Sequence, residues 1–208
     1  MHRKSQPIDS ARRTPRQLRS RDTVEIIFEA TARILQKEGR AALNTNYIAE
    51  RAGISVGTLY QYFPNKESIL IAIARREIAR QESAVLKAMS STTEEMDPAR
   101  LAIRALIASL RSRREARRIA IETLVSEGFG NEIVSSVQKL AQMLATRSER
   151  FWPERTEPVS PVSLFVITRA ISGVMRSASQ EQSPLLDSAE FEDEVVHLFH
   201  AYFSAPRK

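Results

Sequence analysis

The fold of this chain is constrained most by a run of about twenty residues that begins at Asn44. Two short helices that cross closely need a small residue at the crossing, a glycine in the turn, and an apolar residue on the second helix that packs back onto the first. Ala49, Gly53 and Leu59 meet these needs at offsets of four and ten, and glycine adopts φ > 0 without strain. Asn44 and Ser55 stand where each helix needs an N-cap. The run therefore predicts a helix-turn-helix.

The excess positive charge of the chain is confined to its first third. Through Lys66 the sequence holds 12 Lys and Arg against 6 Asp and Glu, whereas the remainder holds 19 of each, so the net charge of +6 falls on the first third. A basic segment on a neutral body suggests that this segment meets a polyanion.

Residues 1–22 are polar and show no apolar periodicity, so we predict a disordered basic arm. Its seven cations are Arg3, Lys4, Arg12, Arg13, Arg16, Arg19 and Arg21. Two roles stay open for this arm. In one it adds sequence-independent affinity for DNA, with an arginine in the minor groove; in the other it is a solubilising tail.

The rest of the chain has the apolar spacing of helices. One stripe begins at Thr23 and ends at Gly39. Longer helical segments are predicted over 69–89, 97–112, 115–127, 131–150, 162–180 and 188–204. No segment alternates with period two, so no sheet is expected. The prediction is an all-α fold, with an N-terminal three-helix helix-turn-helix DNA-binding domain over 23–66 and a larger C-terminal helical domain for dimerisation and ligand binding over 67–208.

The run from Asn44 to Glu67 reads N-T-N-Y-I-A-E-R-A-G-I-S-V-G-T-L-Y-Q-Y-F-P-N-K-E. It resembles the signature of TetR-type transcriptional regulators (the TetR/AcrR family), T-x-x-x-I-A-x-x-A-G-V-S-x-G-T-L-Y-x-Y/H-F-x-x-K-E. The resemblance is dense over roughly residues 23–70 and departs at Asn46 and Tyr47, where an Arg-Asp or Arg-Glu pair is commoner. It implies a sequence-specific regulator, most often a ligand-responsive repressor that binds a palindromic operator in double-stranded DNA as a homodimer. The alternative is a DNA-organising or ligand-independent helix-turn-helix protein.

The second helix of the motif carries the predicted contacts to DNA bases. Its outer face is predicted to hold Val56, Thr58, Gln61 and Tyr62. The amide of Gln61 can pair bidentately with adenine, and the methyl groups of Val56 and Thr58 can touch a thymine methyl. Gly57 leaves room for the backbone to approach the groove.

Phosphate contacts are predicted around this helix, with Ser55 at its N-cap. The hydroxyls of Tyr60 and Tyr62 can reach phosphates, although packing against the first helix is an alternative for both. By the resemblance Thr45 binds phosphate through its hydroxyl and backbone amide. Lys66 begins a long helix whose positive dipole end also favours phosphate; a solvated lysine is the alternative.

The last two helices, predicted over 162–180 and 188–204, are apolar over more than one stripe. A monomeric surface helix needs one buried face, so a second stripe indicates a partner. By the resemblance these helices pair with their copies as a four-helix bundle. We therefore expect a homodimer.

The resemblance also implies an unidentified small-molecule effector in the C-terminal domain. Phe129, Met143, Trp152 and Phe165 are candidate lining residues, each with ordinary core packing as its alternative. A further group of cations is Arg111, Arg113, Arg114, Arg117 and Arg118. It either binds an anionic ligand or forms a solvated corner between helices, and the nearby acidic residues favour the second.

Other classes of protein find little support in the sequence. The chain has no cysteine and three histidines, and the pair His197 and His200 lacks the further ligands of a metal site. No H-E-x-x-H, G-x-S-x-G or phosphate-binding glycine loop is found. We therefore expect no enzyme, metal or cofactor, and a cytoplasmic protein without membrane span or secretory signal.

Overall fold

The computed structural model describes residues 15–90, 96–152 and 158–204, which form ten α-helices and no strand. The helices are α1 (Pro15–Glu38), α2 (Thr45–Ala52), α3 (Val56–Tyr62), α4 (Lys66–Ser90), α5 (Pro98–Arg111), α6 (Arg114–Ser126), α7 (Asn131–Thr146), α8 (Ser148–Phe151), α9 (Pro161–Gln180) and α10 (Ala189–Ser204). The all-α prediction is confirmed. Within the described ranges, no helix is both long enough and apolar enough to cross a membrane.

Local sequence accounts for where the C-terminal helices begin and end. Asp97 caps α5, accepting a hydrogen bond from the Ala99 N–H at 2.9 Å, and Pro98 suits the first position of the helix. Gly128, at φ +86°, follows the end of α6. Asn131, where the predicted segment 131–150 begins, is the first residue of α7.

The first helix is longer than the apolar stripe predicts. It begins at Pro15 rather than near Thr23, so the prediction of a disordered arm is wrong for residues 15–22. Proline suits the first position of a helix, and no glycine or β-branched residue interrupts 15–22. The remainder of the predicted arm, 1–14, lies outside the described residues.

The helices enclose two apolar clusters. The first, the head core, joins α1, α2, α3 and the start of α4 to one face of α6. Its members include Ile27, Ile34, Leu43, Ile48, Leu59, Ile69, Leu70, Ile119 and Leu124. The head core therefore extends across the boundary predicted between residues 66 and 67, because α4 and α6 contribute to it.

The second cluster, the body core, joins the end of α4 to α5, α8, α9 and α10. It is rich in aromatic rings: Trp152 is stacked on Phe199 at 5.5 Å between centroids and lies 4.2 Å from the Phe203 ring. Charged pairs also join α10 to α5, with Glu192 2.7 Å from the guanidinium of Arg104.

Candidate nucleic-acid interface

Helices α2 and α3 form the predicted helix-turn-helix around a glycine in the left-handed region. Gly53 adopts φ +67° and ψ +31°, and the next N–H, that of Ile54, donates to the Ala49 carbonyl at 3.0 Å. Ala49 and Leu59 are buried where the two helices cross. The three positions chosen from spacing alone therefore have the predicted roles.

Both predicted N-caps are present. Asn44 Oδ1 accepts from the Tyr47 N–H at 2.9 Å, and Ser55 Oγ accepts from the Thr58 N–H at 3.0 Å. The Ser55 and Thr58 hydroxyls also lie 2.8 Å apart. Because each hydroxyl has a partner within the protein, Ser55 and Thr58 fix the start of α3 before any DNA is bound.

The outward face of α3 consists of Gly57, Tyr60 and Gln61, all exposed. A Cβ built on Gly57 lies 3.8 Å from Ser55 Oγ, an ordinary contact. Packing within the protein therefore does not require glycine there, although glycine lowers helix stability.

Val56 and Tyr62 are placed differently from the prediction. Both are half-buried and pack against the head core, whereas the sequence placed them on the outer face. The reason is helical spacing: both lie three residues from the fully buried Leu59, and residues at that spacing share its face. Phe63, the residue after α3, packs its ring 5.7 Å from that of Phe28.

A hydroxyl pair links the start of α2 to α3. Thr45 Oγ1, at the first residue of α2, lies 3.0 Å from Tyr60 Oη on α3. Tyr60 is 51% exposed, so packing against the first helix is not its main role. The pair places two O–H groups together at the surface, as a phosphate oxygen requires.

Lys66 has a structural bond that the sequence did not suggest. Its Nζ donates to the Leu43 carbonyl at 3.2 Å, in a half-buried position. This bond ties the start of α4 to Leu43, which follows the short 3-10 turn Arg40–Ala42 before α2. An ammonium has three N–H donors, so the bond uses one of them.

Tyr47, where the chain departs from the family signature, belongs to the scaffold. Its hydroxyl donates to Glu38 Oε1 at 3.0 Å, and this hydrogen bond raises the pKa of the Tyr47 phenol. The guanidinium of Arg51 lies 5.7 Å from the centre of the tyrosine ring. Sequence reasoning missed this link between α1 and α2, because Glu38 stands outside the motif.

The C-terminal helices enclose a cavity of about 380 Å³ between α4, α5, α6, α7 and α9. A second cavity, of about 60 Å³, lies within the body core. Of the four predicted lining residues, Met143 lines the smaller cavity. The other three line neither of these two cavities: Trp152 is packed in the body core, and Phe129 and Phe165 are exposed with an arginine over each ring.

The run of five arginines between residues 111 and 118 is divided by the structure. Four of the five side chains lie within 4 Å of a carboxylate: Arg111 and Arg114 at Asp187, Arg113 at Glu29, and Arg118 at Glu115 and Glu122. Those four form the solvated corner that the sequence favoured. The fifth, Arg117, points inward and lines the larger cavity.

Helix α9 leaves large apolar side chains in solvent. Val162 is 72% exposed and Phe165 58% exposed, and Val166 and Val174 are also exposed. The opposite face, with Leu164, is buried in the body core. This helix therefore has two apolar faces, as predicted, and one of them is uncovered in a single chain.

Comparisons with known proteins match this arrangement. Residues 27–73 match the model of the bacterial regulatory proteins of the tetR family. The chain is 42% identical to the repressor KstR of Rhodococcus jostii over 57 residues, about a quarter (27%) of the length of each protein. It is 30% identical to the regulator EthR of Mycolicibacterium smegmatis over 169 residues, 78% of this chain and 77% of that one. Its fold resembles that of Thermus thermophilus FadR in complex with lauroyl-CoA, with a TM-score of 0.59, 16% identity and coverage of 89% and 96%.

Proposed function

Because the chain belongs to the tetR family of bacterial regulatory proteins, we propose that it is a cytoplasmic, ligand-responsive transcriptional repressor that binds a palindromic operator as a homodimer. The observation that carries the proposal is the outward face of α3, where Gly57, Tyr60 and Gln61 stand exposed on a rigid helix-turn-helix. Its role is binding and regulation rather than catalysis.

Helix α3 enters the major groove and reads sequence through Gln61. A primary amide both donates and accepts, so it pairs bidentately with the N6 and N7 edge of adenine. Gly57 lets the start of α3 approach the base edges. The absence of a side chain there is the feature that packing in the free protein does not explain.

Phosphates are held at the two ends of the motif. The Thr45 and Tyr60 hydroxyls, 3.0 Å apart, bind one phosphate. The free N–H groups of Lys66 and the start of α4 bind another. These contacts position the helix without reading sequence.

The exposed apolar face of α9 is the dimer interface, together with α10. Val162 and Phe165 lie in solvent in a single chain, and contiguous exposed apolar side chains mark interaction surfaces. A second copy is the occupant that a palindromic operator requires, because each half-site needs its own α3.

The ligand acts through the helices that the cavity shares with the head. Ile78 on α4 and Ile121 on α6 line the cavity, while Ile73 and Ile119 of the same helices lie in the head core. A molecule that moves either helix therefore moves the DNA-reading motif. The complex of FadR with lauroyl-CoA supports a small-molecule site in this fold.

Two substitutions on α3 test the DNA contacts after duplexes are selected from a random pool. Gln61→Ala is expected to relax the preference at one base pair per half-site, by a factor of about 5 to 100. Tyr60→Phe keeps the ring, removes the phosphate donor, and is expected to weaken all duplexes alike. Equal binding of selected and random duplexes at about 0.15 M salt would instead support the DNA-organising alternative.

Sedimentation tests the dimer with a matched pair of exposed phenylalanines. Phe165→Glu places a charge in the proposed interface and is expected to weaken dimerisation at least about 30-fold. Phe129→Glu is the control, since Phe129 is also exposed beneath an arginine but lies outside α9 and α10. A dimer that survives Phe165→Glu would show that another surface is used.

A further inference from the structure

The chemistry of the larger cavity can be read from its wall. At about 380 Å³, it has the size of a small-molecule site. Most of the wall is apolar and includes Leu110, Ile121 and Met175. Such a wall suits a hydrocarbon chain or ring, and the few charged groups among these side chains decide which ligands are recognised.

Arg117 is the charged group set deepest in this wall. Its side chain is 8% exposed, and its Nη2 donates to Gln81 Oε1 at 2.6 Å. Its Nη1 is buried and has no hydrogen-bond partner among the described residues. Burial lowers the pKa of Arg117, and Glu77 on α4 opposes that effect.

No described carboxylate pairs with Arg117. Glu77 pairs with Arg80 at 3.2 Å instead. The nearest acids along α6, Glu115 and Glu122, both pair with Arg118. A guanidinium remains charged inside a protein. A buried charge without a partner is costly, so this site favours a molecule that supplies the missing anion.

A second cation stands on another wall of the same cavity. Arg176, on α9, lines the cavity in an exposed position and forms no ion pair with any residue that the structure describes. The carboxylate in the wall, that of Glu122, is held by Arg118 at 2.6 Å. Arg117 and Arg176 are therefore the charges in the wall that lack a counter-ion among the residues that the structure describes.

We propose that this cavity binds a small amphipathic anion, a carboxylate or phosphate ester on an apolar chain or ring, whose anionic group is held by Arg117. Arg176 adds attraction from α9, and the apolar wall holds the remainder of the molecule. The proposal rests on the proposed function in one respect, because it names the chemical class of the effector.

Calorimetric titration of the full chain tests the proposal with ligands that differ only in charge. The series is the straight-chain carboxylates and alkyl phosphates of six to twelve carbons, each below its micelle concentration, against the alcohol of the same length. We expect at least one anion to bind about 10- to 100-fold more tightly than its alcohol, the advantage of a charge-assisted hydrogen bond. Equal affinity within every pair, or no binding anywhere in the series, would overturn the proposal.

Variants of α6 locate the anion. Arg117→Gln is expected to abolish the preference for the anion, and Arg117→Lys to restore part of it. Arg118→Gln is the matched control, because that guanidinium is already occupied by two carboxylates, and the preference should survive. A preference that persists in Arg117→Gln would contradict the assignment.

Thermal unfolding gives a measurement without ligand: Arg117→Gln should leave the midpoint unchanged or raise it, since it removes an unpaired buried charge.

Duplex binding measured on the same samples separates this proposal from the proposed function. Specific DNA binding without any preference for the anion would overturn the ligand chemistry and leave the regulator intact. A preference for the anion without sequence-specific DNA binding would do the reverse.

Discussion

The head core and the body core differ in how completely a single chain fills them. In the head core the aliphatic side chains of Ile27, Ile48 and Leu59 are fully buried. The body core is built around aromatic rings and retains a cavity of about 60 Å³, and the cavity of about 380 Å³ lies where the body meets the head. Protein interiors are normally packed with few voids. The difference indicates that the head core is filled within a single chain, whereas the body leaves space and an apolar face for other molecules.

The largest expected effect comes from emptying the head core. Leu59→Ala removes a side chain that is fully buried and should cost about 2–5 kcal/mol of stability. Trp152, the single tryptophan, lies in the body core, so its fluorescence reports that core. We expect the circular dichroism transition and DNA binding to be lost at lower temperature than the tryptophan transition. Coincident transitions would show that the two cores unfold as one unit.

The turn of the motif gives a smaller effect of purely local origin. Gly53 has φ +67°, and a Cβ built on it meets nothing within 4 Å. Gly53→Ala therefore costs only backbone strain, about 1–2 kcal/mol. Chemical denaturation measures the loss, and a variant as stable as the wild type would show that the turn relaxes to another conformation.

Part of this contrast was predictable from sequence, because the determinants of the head are local. The offsets from Ala49 to Gly53 and Leu59 fix the motif within a few turns of chain. The outward face was predicted less well, since Val56 and Tyr62 were assigned without allowing for their place beside Leu59.

The body was not predictable in the same way, because its determinants are far apart in sequence. Arg113 and Arg117 look alike in the sequence, yet Arg113 pairs with Glu29, 84 residues away, while Arg117 is buried without an acid. The places of the aromatic candidates depend on distant contacts for the same reason. Whether Trp152 or Phe165 lines a cavity, packs in the core or faces solvent depends on how α9 and α10 dock, which their own spacing does not determine.

For Gly57→Ala we expect the stability of the protein and its affinity for DNA to change in opposite directions. The new methyl lies in ordinary contact distance of Ser55 and should stabilise α3 by about 0.5–1 kcal/mol. DNA affinity should fall, because the methyl occupies the space that the bases need. The Gly53→Ala protein is the control, because that substitution is expected to lower stability rather than raise it. Unchanged DNA affinity in Gly57→Ala would remove Gly57 from the interface.

The smallest expected effect concerns the charged pairs that hold α10 to α5 in the body, and it depends on pH. The hydrogen bond from Arg104 holds the pKa of Glu192 below its usual value. Because the folded-state pKa is depressed, the stabilisation is complete above the usual pKa of glutamate, about 4.3, and is lost as the pH falls through the lower folded value. Glu192→Gln should therefore lower the unfolding midpoint at pH 7 by no more than about 2 °C, and the difference should vanish in acid. The exposed Glu194, on the same helix, supplies the control Glu194→Gln. A difference between wild type and Glu192→Gln that persists at low pH would show that Glu192 contributes packing rather than charge.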